Sequence, residues 1–328
     1  MLRSLALLAI AGATLTAAEP VAKAQPLKMG YSDYISFTAW EVAQQKGWFK
    51  EAGVDVQLVW FEYAPSMEAF QAGKIDAVNV ASSDQLVMAG AGKKGSKALI
   101  ITDYSNGNDK IIAKPGLKKM TDLKGKKVGV EVGFVDQLLL IKALEAAGLK
   151  ETDIEMVNMV TTDTPQGLAS GAVDAVACWQ PNANSTLSLV PGSKAVASSA
   201  DFPDLIYDVV AVSDDSLAKR RDDWVKVAKV WDKVVAYTLD PATQGEAVKY
   251  MADKAGVDAD KYAKFLPGSK LFTLKDNVPA LAKDGTGLTT LVGSLAVSDA
   301  FNRQVKAYEA ALTPADFVDG SVVAEALK

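Results

Sequence analysis

Short apolar runs of strand length alternate along this chain with longer stretches in which apolar residues recur every three or four positions. Residues 26–32 (PLKMGYS) predict a strand. Residues 37–53 (FTAWEVAQQKGWFKEAG) predict a helix with Trp40, Ala43, Gly47 and Trp48 on one side and Gly53 as its stop. Residues 54–62 alternate like a strand. Residues 64–82 then give a helix, the turn Ala72-Gly73-Lys74 and the strand 77–81, and a further helix opens in SDQLVMAGAG. ALIITDYS (98–105) is one more strand.

The same order then returns. LKGKKVGVEVG (123–133) reads as strand and turn, 134–149 as a helix and 153–160 as a strand; 161–181 holds a helix, the turn Ser170-Gly171 and another strand. MEAFQAGKIDAVNVASSD and PQGLASGAVDAVACWQPN share a helix, then xGxxDAV, then an apolar strand opening onto polar or aromatic residues. This weak duplication predicts two similar α/β lobes, each a mainly parallel sheet flanked by helices. After a returning strand in 205–219 the chain is mainly helical, with an apolar stripe over 224–239. The lobes are expected at 25–105 plus 206–328 and at 106–205, with a ligand where strand ends and helix starts converge between them.

Composition narrows the chemistry. The 328 residues are 49% hydrophobic, enough for a large core, and the formal charge of −5 with scattered Lys and Arg offers no basic face to nucleic acid. Arg3, the apolar stretch 5–15 and the small residues before Gln25 read as a cleavable signal peptide over 1–24, which predicts a periplasmic protein. Cys178 is the single cysteine and there is no histidine, so Ser-His-Asp and Cys-His catalysis are excluded, and no metal or other cofactor is expected. A binder fits better than an enzyme.

GYSDYISFTAWEVAQQKGWFKEAGVDVQLVWFE (30–62), followed by FQAGKIDAV, DLKGKKVGVEVG and LASGAVDAVACWQP, resembles the solute-binding proteins of ABC importers in the sulfonate, taurine and thiamine-precursor (NMT1-like) superfamily. DYSNGNDKI (103–111) is similar to the urea-carboxylase-associated subgroup, importers of guanidine or urea. The resemblance implies a type II two-lobed clamshell, a small-molecule ligand, a permease partner in the inner membrane and a monomer, whose hinge must stay free. It places ligand contacts at Asp33 with Trp40, at Glu62 and Tyr63, and at Ser83 and Asp84. The crossing between lobes adds Tyr104, Asn106 and Asp109, and the second lobe adds Glu131, Asp136, Trp179 and Gln180.

Sulfonate binders in this superfamily are expected to present bare amides and hydroxyls at the second-lobe helix start, whereas this chain has VEVGFVDQ. Glu131 and Asp136 there would repel an anion, although Asp136 also reads as a helix cap. Acids at predicted strand ends (Asp33, Glu62, Asp84, Asp103, Asp109, Glu131) read singly as turn residues. Gathered in one cleft, they require a cation. Guanidinium suits them, being flat, permanently charged and able to donate N–H pairs to a carboxylate. Trp40, Tyr63, Tyr104 and Trp179 would stack on it, each for roughly 0.5–2 kcal/mol, with core packing as the other reading of Trp40. Neutral urea stays open, with Asn106, Gln180 or a backbone amide as donor to its oxygen, and so do a sulfonate, taurine or pyrimidine ligand and a sensor role. A pyrimidine-forming enzyme of the superfamily is disfavoured by the missing histidines.

Overall fold

A computed structural model describes residues 25–92 and 95–328; the predicted signal peptide lies outside the described residues. The first strand, β1 (Leu27–Tyr31), leads into three short helical pieces, α1 (Ile35–Thr38), α2 (Trp40–Gln45) and α3 (Trp48–Glu51), where one continuous helix is predicted. The run breaks at Gly47, whose φ of +69° is left-handed and ends the turn before Trp48. There follow β2 (Val56–Trp60), α4 (Tyr63–Gln71), β3 (Ala77–Ala81), α5 (Ser82–Gly90) and β4 (Ser96–Ser105).

The chain crosses into the second lobe and forms β5 (Lys110–Ala113), β6 (Lys127–Val130), α6 (Val135–Ala146), β7 (Glu155–Asn158), α7 (Thr164–Ala169), β8 (Ala175–Cys178), α8 (Asn182–Leu189) and β9 (Lys194–Ser198). It returns through β10 (Tyr207–Ser213) into the long α9 (Asp214–Leu239). The Ser213 hydroxyl caps α9 by accepting from Ser216 N, so the predicted strand over 205–219 ends there. The remainder is α10 (Gln244–Ala255), α11 (Ala259–Ala263), β11 (Ser269–Leu271), α12 (Leu274–Ala280), α13 (Leu291–Gln304) and α14 (Ser321–Ala326).

The strands form two sheets, in the orders β11-β4-β10-β3-β1-β2 and β7-β6-β8-β5-β9. Each is mixed. β10 runs antiparallel to β3 and β4, and β5 runs antiparallel to β8 and β9. The cause is the crossing itself: β4 leaves its sheet at the cleft edge and β10 enters there, so neighbours in the sheet must point oppositely. The short strands β5, β9 and β11 and helix α8 carry too few residues to show a period in the sequence.

The repeated xGxxDAV motif has a structural reason. In each lobe its strand, β3 or β8, lies between the reversed strand and the lobe's first parallel strand. Asp76 Oδ2 accepts from Lys28 N at 2.8 Å and Asp174 Oδ2 accepts from Lys127 N at 2.9 Å, fastening the start of β1 and of β6 in the same way. Asp76→Ala and Asp174→Ala should each cost about 1.5–3 kcal/mol, the worth of a hydrogen bond to a charged group, and lower the melting temperature by a few degrees. Unchanged melting in both variants would remove that explanation of the repeat.

Candidate functional site

The two crossings are tied together at the hinge. Ser199 N donates to Asp109 O at 2.9 Å, Gly107 N donates to Ser199 Oγ at 2.7 Å, and Ser105 Oγ contacts both the Asp109 carboxylate and Ser199 Oγ. Gly107 takes φ +113°, a backbone angle that side chains resist. Asn108 Nδ2 reaches Phe265 O and Ser269 Oγ, both at 2.9 Å, so the crossing is also pinned to the segment leading into β11.

Above this hinge the lobes meet around two adjoining cavities, and a third, about 300 Å³, shares Asp33, Glu62 and Thr162 with the outer one and reaches Pro181, Asn182 and Ser185. The outer, about 160 Å³, is lined by Asp33, Glu62 and Tyr63 with Ala64 and Pro65 from the first lobe, and by Glu131, Val160, Thr161, Thr162 and Trp179 from the second. Among the described residues, no Lys or Arg lines it. The inner, about 10 Å³ and near the lower limit for one water-sized guest, is enclosed by Tyr34, Phe37, Tyr63, Ala81, Asp109, Val135, Trp179, Ile206 and Asp208. Tyr63 and Trp179 line both; their rings meet edge to face with centroids 5.0 Å apart and form the partition. Larger open hollows of about 520 and 500 Å³ lie on the first lobe around 43–56 and 64–91 and gather no comparable set of acids.

Asp33 is the main tie across the mouth. Its carboxylate accepts from Trp179 Nε1 at 3.1 Å and from Asn182 Nδ2 at 2.9 Å, joining the loop after β1 to the end of β8 and the start of α8. Burial raises the Asp33 carboxyl above its ordinary range and Glu62 adds to the shift, while Trp179 and Asn182 pull it back. Glu131 is likewise raised, first by burial and then by Glu62 and Asp33, against a hydrogen bond from Thr161 Oγ1 at 3.3 Å.

Two deeper acids, Asp109 and Asp208, line the inner cavity, and Asp103 lies behind Asp208. Asp103 and Asp208 are directly opposed on β4 and β10, and both are buried. Desolvation lifts Asp103 and Asp109 to about 6 and Asp208 well above the carboxylate range, with Asp103 and Asp109 pushing Asp208 further. Lys110, half-buried beside Asp109, is itself held below the usual lysine range by burial. Among the described residues, no group of three or more His, Cys, Asp or Glu side chains is placed to hold a metal ion.

Of the sequence-predicted contacts, Asp33, Glu62, Tyr63, Glu131 and Trp179 line the outer cavity, and Tyr63, Asp109 and Trp179 the inner. The others lie elsewhere. Trp40 is a core residue, stacked on Phe49, packed on Trp231 and donating to Asn79 Oδ1, because its helical stripe faces the sheet. Tyr104 packs among Tyr207 and Phe272 under Lys270. Asn106 is exposed, its N–H held by Gly268 O. The Gln180 amide oxygen accepts from Asn184 N in the first turn of α8. Ser83 donates to Asp84, and Asp84 is enclosed by donors of its own chain. Asp136 is buried in the first turn of α6, where one oxygen accepts from Thr161 Oγ1 at 2.9 Å and the other has no partner.

Sequence reasoning missed Tyr34, Phe37, Asn182 and Asp208. Asp208 did carry a signal: it is a lone acid inside the apolar run LIYDVVAV, a position where a charged residue is out of place unless the protein uses it.

Residues 35–244, well over half of the chain, match the NMT1/THI5-like family. The chain belongs to the NMT1/THI5-like family. A protein of Brucella abortus (strain 2308), named as a binding protein, is 28% identical over 268 residues, which is 81% of this chain and 77% of that protein. The periplasmic aliphatic sulphonate binding protein SsuA of Escherichia coli has a similar structure, with a TM-score of 0.73 at 20% identity over 92% of this chain and 99% of that one. The periplasmic nitrate-binding protein NrtA of Synechocystis PCC 6803 gives 0.73 at 11% identity over 92% and 88%. The fold is the two-sheet α/β fold of periplasmic binding proteins.

Proposed function

We propose that this family member is the periplasmic substrate-binding subunit of an ABC importer, which closes its two lobes on a small organic cation, guanidinium foremost, and presents it to a permease. The observation that carries the reading is the outer cavity. Three carboxylates from both lobes, Asp33, Glu62 and Glu131, line about 160 Å³ beside Trp179 and Tyr63, with no Lys or Arg in the lining among the described residues. A guanidinium supplies the missing positive charge, N–H pairs for the carboxylates and a flat face for an aromatic ring.

The relatives of similar fold are named for a sulphonate and a nitrate, both anions. An anion in this cavity would sit among carboxylates already strained by one another, which speaks for a different ligand class on the shared fold. Asn106 and Gln180 do not line either cavity, so a urea oxygen would have to meet a backbone amide there, whereas guanidinium needs only the carboxylates. Catalysis finds no support: Cys178 is buried and its thiol is pushed up by desolvation, the reverse of an activated nucleophile.

The test is a melting series with guanidinium, methylguanidine, urea, taurine, an alkanesulfonate and a hydroxymethylpyrimidine at low millimolar concentration, with matched salt. A ligand at ~1,000 times its Kd adds about 4 kcal/mol, several degrees in melting temperature. Guanidinium and methylguanidine should raise it. A rise with taurine or sulfonate alone would overturn the reading.

A further inference from the structure

The start of α6 leaves N–H groups that need acceptors. Those of Val132 and Gly133, in the turn before the 12-residue helix, and of Val135, its first residue, each meet a different acceptor, and Gly133 has φ +92°. All three amides are already taken by this chain. Val132 N donates to Asn158 Oδ1 at 3.0 Å, Gly133 N to Gln137 Oε1 at 2.8 Å, and Val135 N to Asp84 Oδ2 at 3.2 Å. The first two acceptors belong to the second lobe. Asp84 comes from α5 in the first lobe, so its contact forms across the cleft.

Asp84 is arranged as a bound anion would be. It is 1% exposed, Tyr63 Oη donates to Oδ2 at 2.7 Å and Ser83 Oγ donates to Oδ1 at 3.0 Å. Val135 N completes the set from the other lobe, and Phe134, the residue before the helix, supplies no side-chain cap. No Lys or Arg ion pair to Asp84 occurs among the described residues, so hydrogen-bond donors and the helix end are what hold the carboxylate.

We propose that Asp84 is a built-in anion, a specificity-determining residue whose carboxylate fills the seat at the α6 N-terminus as the lobes close. Closure then needs no anionic ligand, and a free anion finds the seat occupied. A cleft on this fold can therefore be given over to a cation without leaving the helix end bare. Burial raises the Asp84 carboxyl to about 7, with Glu131 adding to the shift, so the carboxylate is about half ionised near pH 7 and fully charged only above it. The inference rests on the cation reading only where affinity for guanidinium is used as its readout.

The experiment is chemical rescue of Asp84→Ala, which leaves a space shaped for a one-carbon carboxylate beside Tyr63 and Val135. Sodium formate at tens of millimolar should raise the melting temperature of Asp84→Ala by several degrees over equal sodium chloride, and leave the native protein and Asp84→Asn unmoved. Guanidinium affinity should fall at least tenfold in Asp84→Ala and recover to within a few-fold when formate is present. Formate that does nothing specific for Asp84→Ala, or that acts equally on all three proteins, overturns the proposal. If the alanine variant does not fold, Asp84→Ser carries the same comparison. Should the native protein ignore guanidinium, the cation reading fails while the formate comparison still decides the role of Asp84.

Discussion

Guanidinium binding is expected to weaken by more than tenfold in Asp33→Asn and in Glu131→Gln, and by a hundredfold or more in the double variant. A hydrogen bond to a charged group is worth ~1.5–3 kcal/mol, and about 1.4 kcal/mol is tenfold in affinity. The two acids line the same cavity from opposite lobes, so each substitution removes one side of the charged lining. Asp33 has a second part in closure, since its carboxylate accepts from Trp179 and Asn182 of the second lobe. The amide keeps that shape but forces one N–H toward a donor. Stability should move the other way. Both carboxyls are raised by burial, so Glu131→Gln should hold or raise the melting temperature of the ligand-free protein, while in Asp33→Asn that gain is offset by the donor that loses its acceptor. Calorimetry with guanidinium chloride at constant ionic strength measures the first effect, and a melting scan the second. Native affinity in both single variants would remove these acids from the site.

The residues of this site were legible where local chemistry was unusual and hidden where tertiary packing decided. Asp33, Glu62 and Glu131 follow strands whose ends any α/β pattern points toward the cleft, and all three line the outer cavity. Trp179 could be placed for the same reason. Trp40 looked equivalent in sequence, but the helical run turns it onto Trp231, a contact 191 positions away that no local pattern contains. Asn106 and Gln180 were nominated for their amides, yet the backbone used the same stretches for the hinge and for the start of α8. Asp208 was hidden for the opposite reason: its strand read as core, and the cleft edge of β10 becomes visible once the two crossings are known to run side by side. The alternation of elements and the repeated DAV strand carried the architecture; the reversed strands β5 and β10 follow from the double crossing, which is a property of the whole chain.

The ligand-free protein should be most stable in mildly acidic solution and lose stability steadily toward pH 8. Asp84 sits at about 7 and Asp103 and Asp109 at about 6, with Asp136 and Asp208 well above the carboxylate range, all chiefly through burial. In the unfolded chain each titrates near ~4. Between the two values the native state holds more protons than the unfolded state, so stability falls as pH rises, by ~1.4 kcal/mol per unit for each such group. This contribution is fully present below the unfolded pKa and is lost as pH climbs through the folded one. Asp122 and Asp153, held low mainly by backbone hydrogen bonds, act with the opposite sign, so stability falls again in strong acid. Asp208→Asn is the decisive variant. It substitutes a neutral side chain for the acid that faces Asp103 across the β4–β10 pair, and should flatten the slope and raise the melting temperature at pH 8. A native melting temperature that climbs from pH 5 to pH 8, or an Asp208→Asn variant weaker than native at pH 8, would mean these carboxyls are solvated. The same protons compete with the ligand. Because Asp33 and Glu131 are also raised, guanidinium affinity should decline as pH falls toward 5, whereas a neutral ligand such as urea would lack that direct competition.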